Sequence, residues 1–295
     1  MKGTIHDLGY KRYAGPRRAP STRWRVIMRD QLASAWKTWW RFKSALGLAV
    51  IITFIAGGFL YLASDRLLRA LGHGGMVTTI ADGVVPLSIS WYCRAAFVVS
   101  LTITAGVVAG DLQSGTFTFY FARSVRPRDY VLGKLAGLAT LMLLITFVGP
   151  LLLAALHLGL AESADQLVDD LWILPKVIAI GALTTLTYTA VPLGFSALAS
   201  SRRYALAIWA TYYLVVGVMA VGVGMVGTGA VAAIDLPTAI ETVTTSLFDV
   251  QFLRGVHPDV PLAAALISIG VQVTAAIAIV TLRVRAAQRS GVGGA

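Results

Sequence analysis

Uncharged apolar runs recur along the chain, with polar punctuation between them. Residues 45–63 form nineteen consecutive positions without a charge. At about 1.5 Å per residue, a helix of that length just crosses a hydrocarbon core of about 30 Å. Comparable runs occupy 87–109, 130–156, 172–200, 204–228 and 262–282, and none of the six contains Asp or Glu. In hydrocarbon every backbone polar group must be satisfied within the protein, so runs of this length predict helices. The pattern therefore predicts an all-α integral membrane protein with six transmembrane helices. Pro150 and Pro192 fall inside predicted spans and should kink or bend them. Two Gly-x-x-x-Gly pairs, Gly106/Gly110 and Gly133/Gly137, permit close helix approach.

The stretches between the runs have patterns of their own. In 24–43, Trp24, Ile27, Met28, Leu32, Ala35, Trp39 and Phe42 recur at spacings of three and four, and Arg25, Arg29, Lys37 and Arg41 form a second stripe. This predicts an amphipathic helix with a cationic face. Trp24, Trp36, Trp39 and Trp40 suit the headgroup zone, so the helix should lie in the membrane interface. Residues 1–23 read as a basic cytoplasmic tail, and 44–295 as the transmembrane domain. Residues 229–261 hold Asp235, Glu241, Asp249 and Asp259 and are too polar to span. They predict an external, re-entrant or surface segment, with a helix opened by Pro237 and closed by Gly255.

Composition agrees with the pattern. The 295 residues are 57% hydrophobic and only 13% charged, where a soluble domain carries about 25%. The net charge of +11 would ordinarily raise nucleic acid as a partner, but its distribution excludes that reading. With both termini in the cytoplasm, 20 of the 25 Lys and Arg fall on the cytoplasmic side and ten of the 14 acidic residues on the other. That segregation follows the positive-inside rule and places a multi-pass protein in the cell (inner or plasma) membrane.

The chemistry of an autonomous enzyme is missing. The chain has no Gly-x-x-x-x-Gly-Lys-Ser/Thr loop, no His-Glu-x-x-His, no Gly-x-Ser-x-Gly and one cysteine, Cys93. No catalytic residue, metal site or cofactor is assigned to it. Arg94 is a charge inside the second span. It either snorkels outward as an anchor or lines a polar pathway.

The loop 110–129 lies between the second and third spans. It holds Asp111, Gly115-Thr116, the aromatics Phe117, Phe119 and Phe121, and Arg123, Arg126 and Arg128; Leu132-Gly133-Lys134 follows. Asp111 can pair with Arg123, Arg126 or a cation on a partner. The stretch resembles the cytoplasmic loop of ABC-2 type ABC-transporter permeases, in which an acidic residue precedes Gly-Thr, a short amphipathic helix and a Pro/Arg-rich turn. Asp111 stands where that family usually has Glu, and Ser124 where it usually has Pro. The resemblance implies a transmembrane permease subunit, an exporter in function, working as a dimer with an identical or homologous second permease. It implies an interfacial elbow helix at the N-terminus. It also implies two copies of a separate ABC ATPase subunit that carry ATP and Mg and dock on the loop at Asp111, Gly115, Thr116, Phe117, Phe119, Phe121, Arg123, Arg126 and Arg128. The residues alone leave two other classes open: a membrane anchor or assembly subunit that docks a cytoplasmic partner, and an ATP-independent carrier or channel.

Overall fold

The computed structural model describes residues 22–37, 39–64, 74–122, 125–161, 163–250 and 258–292. Among them there is no strand, and six helical segments are long and apolar enough to cross a membrane: Phe42–Ala63, Gly83–Gln113, Pro127–Gly159, Ala164–Leu198, Arg202–Val226 and Leu262–Arg289. These overlap the six predicted runs, with most ends extended by a few residues. Most of the N-terminal tail, Arg123 and Gly255 lie outside the described residues, as do the side chains of Trp39, Trp40 and Arg41.

The amphipathic stretch 24–43 falls on two described helical segments. Helix α1 covers Arg23–Lys37, and α2, Trp39–Ser64, carries residues 39–43 into the first span. Ile27, Gln31 and Ala35, one turn apart, are the buried face of α1. They pack on the third span, where a side-chain methyl at Gly133 would meet Ile27 Cβ at 2.7 Å and one at Gly137 would meet Gln31 Cβ at 3.0 Å. The second Gly-x-x-x-Gly thus seats α1. Of the first pair, Gly106 lies under the aliphatic part of Arg202, while Gly110 faces open space.

The second span is α3 (Gly74–Val99), a π-helical turn Ser100–Thr104, and α4 (Val107–Gln113). A short helix α5 (Thr116–Ala122) follows. The third span divides into α6 (Pro127–Thr146) and α7 (Val148–Gly159). The break lies where Pro150 dictates: its ring opposes the carbonyl four residues earlier, that of Thr146, the last residue of α6. Pro127 is the first residue of α6, a position where its missing N–H costs nothing.

After α8 (Ala164–Asp170), α9 (Ile173–Leu198) forms the most buried span and runs through Pro192 as one helix. It packs along the last helix, α13 (Leu262–Val292), so closely that a methyl on Gly194 would lie 2.6 Å from Ala276 Cβ. The fifth span is α10 (Arg202–Thr211), a second π turn Tyr212–Val216, and α11 (Gly217–Val226). The two π turns are neighbours. Trp209 Nε1 donates to Ser100 Oγ at 2.9 Å, and the Phe97 and Tyr213 rings stack at 3.8 Å.

The segment after the fifth span folds back on it. A 3₁₀ turn, Gly229–Ile234, lies along α11, with Ala232 against Gly224 and Asp235 against Gly217. Helix α12 (Leu236–Phe248) then buries Leu236, Ala239 and Ile240. The Asp235 carboxylate accepts from Thr238 N–H at 3.0 Å and from its hydroxyl at 2.6 Å, which caps the helix start. The helix ends at Phe248 with Asp249 in the left-handed conformation, φ 55°, rather than continuing to Gly255. The first and fifth spans are the least covered and leave Phe54, Phe59, Val218 and Met219 facing outward, as hydrocarbon surroundings require.

Candidate functional site

The loop after the second span is a folded unit. Helix α4 ends at Gln113, and Gly115 takes φ +67°, the left-handed conformation that reverses the chain with least strain in glycine. The Gly115 carbonyl then accepts from the Thr118 N–H at 3.1 Å and its hydroxyl at 2.7 Å, starting α5.

Four residues separate Phe117 from Phe121, so a helix puts both on one face and Phe119 on the other. Phe117 is 5% exposed, stacks on Phe121 at 5.6 Å and meets the Tyr130 ring at a tilt at 5.0 Å; Phe119 is 74% exposed. The expectation that all three aromatics seek an external cover therefore needs correction. Phe117 is an internal anchor covered by its own chain, and Phe121 packs beside it. Tyr120 approaches Tyr130 edge-on at 5.6 Å. Burial, with Asp111 and Asp30 nearby, pushes the Tyr120 hydroxyl up to about 12. Arg126 and Arg128 are exposed at the turn into α6, where the Arg126 N–H donates to the Asp129 carboxylate at 3.1 Å.

Asp111 does not pair with Arg126. Its Oδ2 accepts from Lys134 Nζ at 3.0 Å and from Tyr130 Oη at 2.6 Å. Tyr130 and Lys134 are one helical turn apart on α6, so the same face presents both to α4. Lys134 is 5% exposed and also donates to Gln31 Oε1 at 3.0 Å. A buried ammonium needs such partners to remain charged. The arrangement joins three elements through two atoms: α1 by Gln31, the end of the second span by Asp111, and the start of the third by Lys134. Tyr130 extends it to the aromatic face of α5. Lys134 stood in the sequence motif, but nothing there marked Gln31 or Tyr130 as its neighbours. Ser196 was missed as well: its hydroxyl accepts from the N–H groups of Val108 (3.0 Å) and Ala109 (3.1 Å), tying α4 to α9.

On α1, Arg25 lies over the Trp24 ring at 5.6 Å, Arg29 is exposed, and Trp36 is 56% exposed with Lys43 over its ring at 4.9 Å. Arg25, Arg29 and Trp36 thus face away from the surface packed on α6, whereas Trp24 lies on the Ile27 side with its carbonyl against Gly133.

Arg94 lies 17 residues before Asp111 on the same span, roughly 25 Å along a helix. Its guanidinium sits 4.2 Å from the Trp91 ring centroid and lines a cavity of about 520 Å³ between α3, the second π turn and α12. Phe97, Tyr213, Leu214 and Val218 form apolar walls, and Asp235 and Glu241 line the α12 side. Arg94 is itself exposed, so it stands at the mouth of this cavity. Among the described residues, no group of three or more His, Cys, Asp or Glu is placed to hold a metal ion.

The model of a family described as ABC-2 family transporter protein matches residues 36–280. This chain belongs to the ABC-2 transporter family. With its six apolar helices it is a multi-pass membrane permease of that family. The match takes in α5, the Asp111–Lys134 pair and the Arg94 cavity, and it begins after the buried face of α1. In this ABC-2 transporter, Gln31 therefore joins the loop from outside the matched region. No curated protein matches the chain.

Proposed function

We propose that the chain is the transmembrane subunit of an ABC exporter. Two permease protomers, identical or homologous, form the pathway, and two separate ATP-hydrolysing subunits drive it. Both termini and α5 face the cytoplasm of the cell membrane, a reading carried by the segregation of Lys and Arg. Residues 229–261 lie on the outer side. ATP and Mg belong to the ATPase, and this chain holds no cofactor.

The observation that carries the reading is the division of labour on α5. Phe119 points outward from the middle of a short helix, with Arg126 and Arg128 exposed at the following turn. Phe117 and Tyr120 hold the same helix to Tyr130, and through it to Asp111, Lys134 and Gln31. A push on Phe119 is thus delivered to the second span, the third span and α1 together. Rocking of packed helices is an established way to alternate access to a cavity. Asp111, Gly115, Thr116, Phe117 and Phe121 set the position of α5 in this scheme, and Phe119, Arg126 and Arg128 meet the ATPase.

The test is co-purification and transport. The permease should bring down an ATP-hydrolysing subunit, and the purified chain alone should hydrolyse no ATP. Phe119→Ala should weaken that association by about 10–100-fold, the worth of one buried phenylalanine. Robust ATP turnover by a contaminant-free preparation of the chain, or full association of the Phe119→Ala variant, overturns the proposal.

A further inference from the structure

The Arg94 cavity combines features that specify an occupant. Its volume of about 520 Å³ lies within the range of pockets that enclose ligands of drug or single-chain lipid size. The wall opposite α12 is apolar, and Leu214 (56% exposed) and Val218 (64% exposed) carry it outward onto the side of the bundle. A molecule with an apolar body can therefore enter from the hydrocarbon without crossing water. At the mouth stands a single guanidinium. Among the described residues no carboxylate pairs with it, and the ring of Trp91 holds it by one face. Stacking leaves the edge of the guanidinium, with its N–H donors, free to grip an oxyanion.

We propose that this cavity binds an acidic amphiphile, its monoanionic head on Arg94 and its apolar body along Phe97, Leu214 and Val218. Asp235 and Glu241 on the α12 wall place negative charge at the far side, which disfavours a second charge on the head and any anion that enters deeper than Arg94. The assignment deepens the permease reading and rests on it for the occupant's route, although the binding step requires no ATPase. The occupant is either a resident acidic lipid of the bilayer or an acidic amphiphile arriving as cargo; the two share one chemistry.

The experiment compares two single-chain lipids with the same oleoyl tail, lysophosphatidylglycerol and lysophosphatidylcholine. Binding to the full chain in a non-ionic detergent is followed by calorimetry. The wild type should prefer the monoanionic head by about tenfold, the worth of one charged hydrogen-bonded contact. Arg94→Gln should lose the preference, and Arg94→Lys, which keeps the charge, should retain part of it. Glycerol phosphate, a head without a tail, should not compete. Equal binding of both lipids to the wild type, an undiminished preference in Arg94→Gln, or competition by glycerol phosphate overturns the proposal. Repeating the titration in vesicles separates the two sources. Blockade by bilayer phosphatidylglycerol assigns the site to a resident lipid, and unblocked binding assigns it to cargo; both support the acidic-amphiphile site. Because no nucleotide is present, loss of ATP-driven transport in a separate assay would sink the permease reading and leave this one standing.

Discussion

Lys134 Nζ lies 3.0 Å from Asp111 Oδ2, with the two side chains only 6% and 19% exposed. A pair so withdrawn from water behaves differently from a surface ion pair. Removing one member strands the other, whereas replacing both by apolar groups of similar volume can be nearly neutral.

The single variants Lys134→Met and Asp111→Leu should therefore each lose about 3–5 kcal/mol. The double variant Asp111→Leu/Lys134→Met should recover most of that stability. Thermal unfolding of the purified permease in detergent measures it. A double variant as unstable as the sum of the singles would show that the two residues do not act as a pair.

Phe117 and Phe119 should separate stability from partner binding. Phe117→Ala removes a buried ring packed on Phe121 and Tyr130 and should destabilise the loop by about 3–5 kcal/mol. Phe119→Ala removes an exposed ring and should leave the melting temperature within experimental error while ATPase association falls. The reverse pattern would mean that α5 is oriented the other way round.

Gly133→Leu or Gly137→Leu should displace α1. Ile27 and Gln31 fill the space that a larger side chain would need. Limited proteolysis should then cut at Arg25 or Arg29 in the variant many times faster than in the wild type. Equal cleavage would mean that α1 is held by the bilayer surface and not by the third span.

The Tyr120 hydroxyl adds a pH signature. Its ionisation is raised in the folded state to about 12, above the ordinary tyrosine value, chiefly by burial. A group whose folded value is raised favours the folded state below its unfolded value, and that advantage is lost as pH rises. The packing of α5 should thus be insensitive to pH up to about 10 and loosen between about 10 and 12. Tyr120→Phe should remove a component near 12 from the phenolate absorbance titration; loss of a component near 10 instead would place Tyr120 in solvent.

The spans were legible because hydrocarbon tolerates only helices, and runs without charge announce them. The break in the third span was legible in kind but not in place: Pro150 names the kink, and its effect falls four residues earlier at Thr146. The outward turn of Phe119 could have been read from the four-residue spacing of Phe117 and Phe121. The partners of Asp111 could not, because they depend on how α4 lies against α6, and basic residues nearer in sequence offered the simpler pairing. Arg94 was conspicuous as a charge in an apolar run, but its cavity is made by α12 and the second π turn, more than a hundred residues away.

The seat of α1 on Gly133 and Gly137 has a consequence for biogenesis. Lys134 follows Gln31 by 103 residues. At ribosomal rates of about 5–20 residues per second, α1 waits roughly 5–20 s for its binding face to be synthesised. Throughout that interval two spans precede the third, and Ile27, Gln31 and Ala35 have no partner within the nascent chain. The aromatic and cationic side of α1 can hold it at the headgroups meanwhile, so the helix is stored on the lipid surface before it is docked. Closure of α1 over Lys134 is then a late assembly step, completed after the third span has inserted.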